Sequence, residues 1–336
     1  MARKPFVTIV MPALNEVRHI EAAIETLRPD LNDIDYELLI LDGGSLDGTQ
    51  AIVSRLQVSE SRIRLIPNPR RLQAAAMNIG ARIADQRSDI LVRADCHSTY
   101  PPDFIKLCVQ AIIERGVASV VVPMDTIGRS CMQRAIAAAQ NSRLGNGGSV
   151  HRRASVSGFV EHGHHAAFSR EVFLALGGYS EDMGANEDAE FDKRLIAAGY
   201  RIWLCGEATI TYFPRKTLSA LCRQYFNYGS GRASTCLRHQ IFPRLRQLTP
   251  VVLLLGCASS ILCSLFDLRF LFPPMAYVAL CLSWGLALGW RDKAPCSALS
   301  GLAAIVMHLA WGLGFCTRVL RALMQRFRGP WRSESR

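Results

Sequence analysis

The first two thirds of the chain alternate short apolar runs with longer segments whose apolar residues recur at helical spacing. Phe6-Val-Thr-Ile-Val-Met11, Tyr36 to Leu41, Arg62 to Ile66, Asp89 to Ala94 and Ala118 to Val122 read as strands. Glu16 to Leu27, Leu72 to Ala84 and Asp103 to Glu114 read as helices between them; Val17, Ile20, Ala23, Ile24 and Leu27 fall near one face. Strands and helices alternating at this spacing imply βαβ units with right-handed crossovers and a largely parallel sheet, an α/β nucleotide-binding layer. Beyond it the pattern predicts a helix over Cys131 to Ser142 and a loose basic stretch, Leu144-Gly-Asn-Gly-Gly-Ser-Val-His-Arg-Arg153. A strand over Gly158 to Phe168, a helix over Ser169 to Leu176 stopped by Gly177-Gly178, and a helix over Asn186 to Ala198 follow. Tyr200 to Cys205 and Ala208 to Phe213 are short strands that close the soluble fold.

The last third prefers a different solvent. Pro250 to Phe266, Leu271 to Trp290 and Ser297 to Cys316 are almost free of charge and near the roughly 20 residues that a helix needs to cross a bilayer. Seven basic residues and no acid lie between Arg215 and Arg246, and a second arginine-rich stretch starts at Arg318. Basic residues flanking apolar spans mark the cytoplasmic side, so both stretches are expected there. Three full crossings would separate them, which leaves two or three spans open. The expected organisation is a cytoplasmic catalytic domain over 1–245, a membrane region over 246–320 and a basic tail over 321–336. The first of these divides into a nucleotide-binding half, 1–125, and an acceptor half, 126–245.

Composition sharpens this only in part. The formal charge of +11 tracks the membrane-flanking segments and no known reader motif is visible, which argues against a nucleic-acid partner. Eleven cysteines without any C-x-x-C resemble neither a disulfide framework nor a zinc cluster, and a reducing cytosol is the simplest home for the soluble part. The apolar run at Phe6 to Met11 is too short for a signal-peptide core, so export of the whole chain is not expected.

The candidate chemistry gathers where strands end. Leu91-Val-Arg-Ala-Asp95-Cys-His97 is an apolar run that stops at an acid and an imidazole two residues apart, and Asp95 and His97 could hold one divalent cation. Pro12-Ala-Leu-Asn-Glu16 follows the first strand and Asp42-Gly-Gly-Ser-Leu-Asp-Gly-Thr49 the second. Carboxylates, an amide and exposed N–H groups at such an edge suit a base and ribose, while helix N-termini and cations suit phosphates. Taken singly, each loop is equally an ordinary cap or turn. Arg71 and Asn78 follow them in the chain.

With Asn186-Glu-Asp188, these motifs resemble the inverting nucleotide-sugar glycosyltransferases of family 2, which have the GT-A fold. The resemblance runs from about Phe6 to Arg232 and is strongest to the membrane-bound enzymes of bacterial exopolysaccharide assembly of the succinoglycan type. It implies a Rossmann-like nucleotide-diphospho-sugar transferase domain followed by C-terminal transmembrane helices at the bacterial inner membrane. Pro12, Asn15, Glu16 and Asp42 would line the nucleoside pocket, with Ser45, Asp47, Arg71 and Asn78 in the same nucleotide-sugar group. Asp95 would touch ribose and metal, and Asp188, beside Glu187, would be the catalytic base. His164 and His165 could touch the acceptor or the diphosphate. Gln224, Tyr225 and Arg232 are further acceptor or diphosphate candidates, since a guanidinium can grip two oxygens at once.

Three departures matter. The usual Asp-x-Asp is Asp95-Cys96-His97, so one ligand is an imidazole, which makes Mn²⁺ at least as plausible as Mg²⁺. Asp42-Gly43 replaces a common Asp-Asp pair. The Gln-x-x-Arg-Trp motif of processive synthases is absent, which points to addition of a single sugar. The expected reaction moves one hexose, glucose from UDP-glucose, in β-linkage to a polyprenyl-diphosphate-linked saccharide, beside other assembly partners. A polyprenyl-phosphate glycosyltransferase and a non-catalytic membrane subunit are the alternatives.

Overall fold

The computed structural model describes residues 5–27, 34–146 and 156–327. In chain order the elements are β1 (Phe6–Ala13), α1 (Ile20–Leu27), β2 (Asp35–Asp42), α2 (Thr49–Ser59), β3 (Ile63–Pro67), α3 (Gln73–Ile83), β4 (Ser88–Arg93) and β5 (Ser98–Thr99). Then come α4 (Phe104–Arg115), β6 (Ser119–Val122), β7 (Met124–Thr126), α5 (Cys131–Asn141), α6 (Arg143–Asn146), β8 (Gly158–Val160) and β9 (His164–Ser169). The remainder are α7 (Arg170–Ala175), α8 (Glu187–Ala197), β10 (Ile202–Leu204), β11 (Ile210–Tyr212), α9 (Leu218–Arg238), α10 (Leu245–Cys263), α11 (Phe272–Arg291) and α12 (Ser300–Phe327). Most of the expected stretch 144–153 lies outside the described residues.

The chain forms two compact units. The first comprises Met1–Thr126, Ser149–Met183 and Glu187–Phe213; the second comprises Ile127–Gly148, Gly184–Asn186 and Pro214–Arg336. Residues 127–146 and 214–245 therefore group with the apolar helices in the second unit.

In the first unit an eight-stranded sheet runs in the order β3-β2-β1-β4-β9-β6-β10-β8. Period-two alternation supplies both of its faces. Val7, Ile9 and Met11 of β1 and Ile90 and Val92 of β4 face one core, with Ile20, Ala23, Ile24 and Leu27 of α1, Val53 of α2 and Phe104 of α4. Val10 and Leu91 face the other, with Met77 of α3, Phe173 of α7 and Phe191 of α8. The same alternation carries Arg93 onto that second face, where a guanidinium sits at the end of an otherwise apolar strand.

The sheet is less parallel than the pattern implies. The β1, β2, β3 and β4 ladders and the β6–β10 pair are parallel, but β9 lies antiparallel between β4 and β6. The single strand expected over Gly158 to Phe168 is in fact two, because β8 pairs with β10 at the sheet edge. The break falls at Glu161-His162-Gly163, where a Cβ on Gly163 would lie 2.5 Å from Val121 Cγ2. A second sheet, β5-β11-β7, completes the unit.

In the second unit α9 packs along α12 with backbone against backbone. A Cβ at Gly229 would come within 1.9 Å of the Trp311 carbonyl oxygen, and one at Gly314 within 2.0 Å of that of Phe226. Small residues permit this approach, as in membrane helix pairs. Three helical segments are long and apolar enough to cross a membrane: Leu245–Cys263, Leu268–Arg291 and Pro295–Gln325. The first starts before and stops short of the expected run Pro250 to Phe266, while the other two extend past theirs at both ends. Cys131 and Cys296 form a disulfide, and the other nine cysteines are in none.

Candidate active site

The loops after β1 and β2 are built into each other. Asn15, at φ 57°, donates its backbone N–H to Ser45 Oγ at 2.8 Å, and its side-chain oxygen accepts from the Leu46 N–H at 2.9 Å. The Glu16 N–H donates to Thr49 Oγ1 and the Val17 N–H to Asp47 Oδ2. Asp47 Oδ1 also accepts from the Thr49 N–H and hydroxyl, which lowers the acid's pKa. Asp42 is buried and accepts from the Gly44 and Ser45 N–H groups, the Ser45 hydroxyl and Gln50 Nε2. Burial pushes the Asp42 carboxyl up, but these donors outweigh it and the net shift is downward. Most side chains of Asn15, Ser45 and Asp47 are thus committed to holding the loop shape. Arg71, at φ 56°, lies over Gly44 and is exposed.

Asn78 is also committed within the protein. Its amide donates to the Tyr179 carbonyl and to Glu181 Oε1, both at 2.8 Å, and accepts from the Tyr179 N–H. It anchors the segment between α7 and α8.

The end of β4 differs in kind. Asp95 is buried; Oδ1 accepts from Gln73 Nε2 at 3.0 Å and Arg93 Nε at 3.2 Å, and Oδ2 from Arg93 Nη2 at 3.3 Å. His164 Nε2 stands 3.5 Å from Oδ2. Burial raises the Asp95 pKa, but Arg93, His164 and His97 hold it well below the usual carboxylate range. Burial works against the Arg93 charge, and the fields of Asp95, Tyr179 and Glu187 overcome it and keep the guanidinium protonated. His164 is pushed down to about 4 by burial and by Arg93, so it is neutral at physiological pH. His97 is half-exposed and directs Nδ1 to Glu16 Oε1 at 3.6 Å. Between them, Cys96 Sγ donates to the Pro12 carbonyl. Among the described residues no three His, Cys, Asp or Glu side chains converge as a metal cage.

Glu187 and Asp188 open α8 on the same unit, where the helix N-terminus favours negative charge. Burial pushes Asp188 up, yet His162, His165 and Arg93 outweigh it and hold the group at about 2, and the Ala189 N–H donates to it at 2.7 Å. Glu187 moves the other way, raised by burial and by the neighbouring Asp188 carboxylate. Adjacent acids driven apart in pKa are the pattern of an acid–base site.

Behind them lies a network that the sequence did not disclose. Asp192, one turn after Asp188, accepts from His162 Nδ1 and His165 Nε2, each at 2.7 Å. His165 Nδ1 meets the Tyr179 hydroxyl at 2.6 Å, so this fully buried ring has both nitrogens engaged and cannot touch an acceptor. Burial raises the Asp192 pKa, and the two imidazoles bring it below the usual range. An acid four residues after Asp188, and a lone Arg in an apolar strand, were the available signals.

The remaining candidates lie on α9 in the second unit. Gln224 Nε2 donates to Tyr228 Oη at 2.9 Å, Tyr225 Oη accepts from Gln140 Nε2 at 3.4 Å, and Arg232 lies two turns beyond Tyr225 on the same helix. Asn186 Nδ2 donates to the Tyr228 carbonyl.

Known proteins bear directly on this arrangement. The model of "Glycosyl transferase family 2" matches residues 8–177. The chain is 44% identical, over 93% of its length and 94% of the relative's, to the succinoglycan biosynthesis protein ExoA of Rhizobium meliloti strain 1021. This chain belongs to glycosyltransferase family 2. A Methanococcus voltae dolichyl N-acetyl-alpha-D-glucosaminyl phosphate 3-beta-D-2,3-diacetamido-2,3-dideoxy-beta-D-glucuronosyltransferase is 23% identical over 68% of the chain and 73% of that protein. Among solved structures, the mannosyltransferase PcManGT from Pyrobaculum calidifontis, in complex with GDP-Man and Mn²⁺, superposes with a TM-score of 0.55 at 20% identity. It covers 92% of this chain and 88% of that one, which shows a shared GT-A fold. The family 2 match extends past β4 and β9 but stops before α8, so the acid pair rests on the structure.

Proposed function

We propose that this family 2 glycosyltransferase moves one hexose from UDP-glucose, with inversion, onto a polyprenyl-diphosphate-linked saccharide in assembly of a succinoglycan-type exopolysaccharide. The observation that carries the reading is the separation at the start of α8: Asp188 is held ionised near 2 while Glu187 is pushed up. An ionised carboxylate is what must take the proton of an attacking hydroxyl, and such a base contributes typically 10²–10⁴-fold. In-line attack on an α-linked donor then yields a β-linkage. His162 and His165, both held by Asp192, favour the charged form of that base.

At the donor end, the preassembled Asn15–Ser45–Asp47 loops present their edge to the nucleoside, with Asp42, Pro12, Glu16 and Arg71 around it. Asp95, fixed by Arg93 and Gln73, faces the ribose. Asp95 and His97, one carboxylate and one imidazole, would hold a divalent cation, and Mn²⁺ accepts such a mixed set. Bound there, the cation supplies positive charge against the departing diphosphate. Gln224, Tyr225 and Arg232 are assigned to the acceptor side, and the three apolar helices to the inner membrane, with the catalytic unit on the cytoplasmic face.

The test is transfer of radiolabel from a panel of UDP-sugars into organic-extractable lipid by washed membranes, with Mn²⁺, Mg²⁺ or chelator. Label from UDP-glucose alone, dependent on the cation and on a supplied lipid-linked saccharide, supports the reading. Label from another donor, or transfer to the bare polyprenyl phosphate, contradicts it.

A further inference from the structure

Arg93 carries a feature that the transfer chemistry above does not use. Its Nε and Nη2 are taken by Asp95, but Nη1 is buried and has no hydrogen-bond partner. The residue as a whole is 7% exposed. A buried N–H without an acceptor is costly, and guanidinium cannot shed its proton; with the neighbouring Tyr179 hydroxyl engaged by His165 Nδ1, an acceptor from outside the protein suits the site.

The placement says which acceptor. Arg93 ends β4 on the α3 and α8 face of the sheet, two residues before Asp95, and its charge is felt at Glu187 and Asp188 as well as at Asp95. It therefore pairs with the carboxylate assigned to the nucleotide and lies near enough to the acid pair assigned to the attacking hydroxyl to act on its charge. The transferred sugar must lie between those two groups. We propose that Arg93 Nη1 donates a hydrogen bond to a hydroxyl of the transferred sugar, and that Arg93, Asp95 and Glu187 together select a neutral hexose over a sugar acid. A hydroxyl is the fitting group because it accepts from Nη1 and donates to a carboxylate. A sugar carboxylate would meet Asp95 and Glu187 beside a cation already paired to Asp95 through two nitrogens. The proposal rests on the UDP-hexose reading above.

The test uses the full chain in nanodiscs. Binding of UDP, UDP-glucose, its 2-, 3-, 4- and 6-deoxy analogues and UDP-glucuronate is measured for the wild type, Arg93→Lys and Arg93→Gln. Removing one particular hydroxyl is expected to weaken wild-type binding about tenfold to a hundredfold, the worth of one hydrogen bond from a charged donor. In the folded variants, removing the same hydroxyl costs less than about threefold. UDP-glucuronate is expected to bind the wild type at least about a hundredfold more weakly than UDP-glucose, a measurement that needs no variant. Equal losses in wild type and variants, no sensitive hydroxyl, or comparable binding of the glucuronate overturns the proposal while leaving the transferase reading intact. Failure of the folded wild type to bind any UDP-sugar but not UDP overturns the donor reading, and this inference with it.

Discussion

Two regions at the carboxyl edge of one sheet use their polar residues in opposite ways. In the loops after β1 and β2, Asn15, Ser45, Asp47 and Thr49 are hydrogen-bonded to one another and to neighbouring backbone. At the end of β4 and the start of α8, charge is packed at close range and left incompletely matched: a buried guanidinium with a spare donor, and two adjacent acids driven apart in pKa. The first region is a preformed shape whose residues matter through the backbone they fix. The second holds close-packed charge with a buried donor left over. A motif can therefore be diagnostic of a family while several of its side chains are hydrogen-bonded to their own loops.

Substitutions can break this contrast, and the largest effect belongs to the base. Asp188→Asn keeps the side chain's size and removes the ionised acceptor, so kcat should fall by about 10²–10⁴-fold, with a loss of stability as well because the folded chain favours the ionised form. Steady-state kinetics and an unfolding curve on the same preparation check both halves of that statement.

Acid should act next, on several groups together. Asp42, Asp95, Asp188 and Asp192 all sit below their ordinary pKa in the folded chain. Each depressed acid contributes stability that is present above about pH 4, the unfolded value, and lost as pH falls through the folded value. Glu187, raised, runs the other way and costs stability as pH climbs through its folded pKa. The thermal midpoint of the first unit should vary little between pH 7 and 5 and drop steeply below 4; a midpoint flat to pH 3 would refute the set of shifts.

Asp192→Ala removes the shared acceptor of two imidazoles, one of them fully buried. Leaving those nitrogens unmatched should cost on the order of 3 kcal/mol, read by denaturant unfolding. Ser45→Ala, in the preformed loops, loses one hydroxyl that donates to Asp42 and accepts from Asn15. About 1–2 kcal/mol and a raised KM with kcat nearly intact are expected there. The smallest effect is at the exposed Arg70–Glu181 pair, where Arg70→Ala should change stability by no more than about 0.5 kcal/mol.

The sequence made the nucleotide layer legible because its strands and helices carry clean periods, as the buried faces of β1, β4 and α1 show. It hid α2, whose buried set is only Thr49, Val53 and Leu56, and α9, whose Gly229 and Gly231 argue locally against a helix and serve close packing instead. Asp95, His97, Glu187 and Asp188 were visible as motif residues. Arg93, Gln73, His162 and Asp192 were not, because their importance lies in contacts between β4, α3, β9 and α8 that no local spacing encodes. Gly163 broke an apparently continuous strand for the same reason: Val121 lies beneath it.

The most direct test of the contrast is to measure kcat and the unfolding free energy side by side for Asp188→Asn and Ser45→Ala, in the full chain with UDP-glucose and a lipid-linked acceptor. The account predicts that Asp188→Asn stays folded but loses kcat by at least about a hundredfold, and that Ser45→Ala loses stability with kcat nearly unchanged. A folded Asp188→Asn protein turning over at the wild-type rate would contradict it.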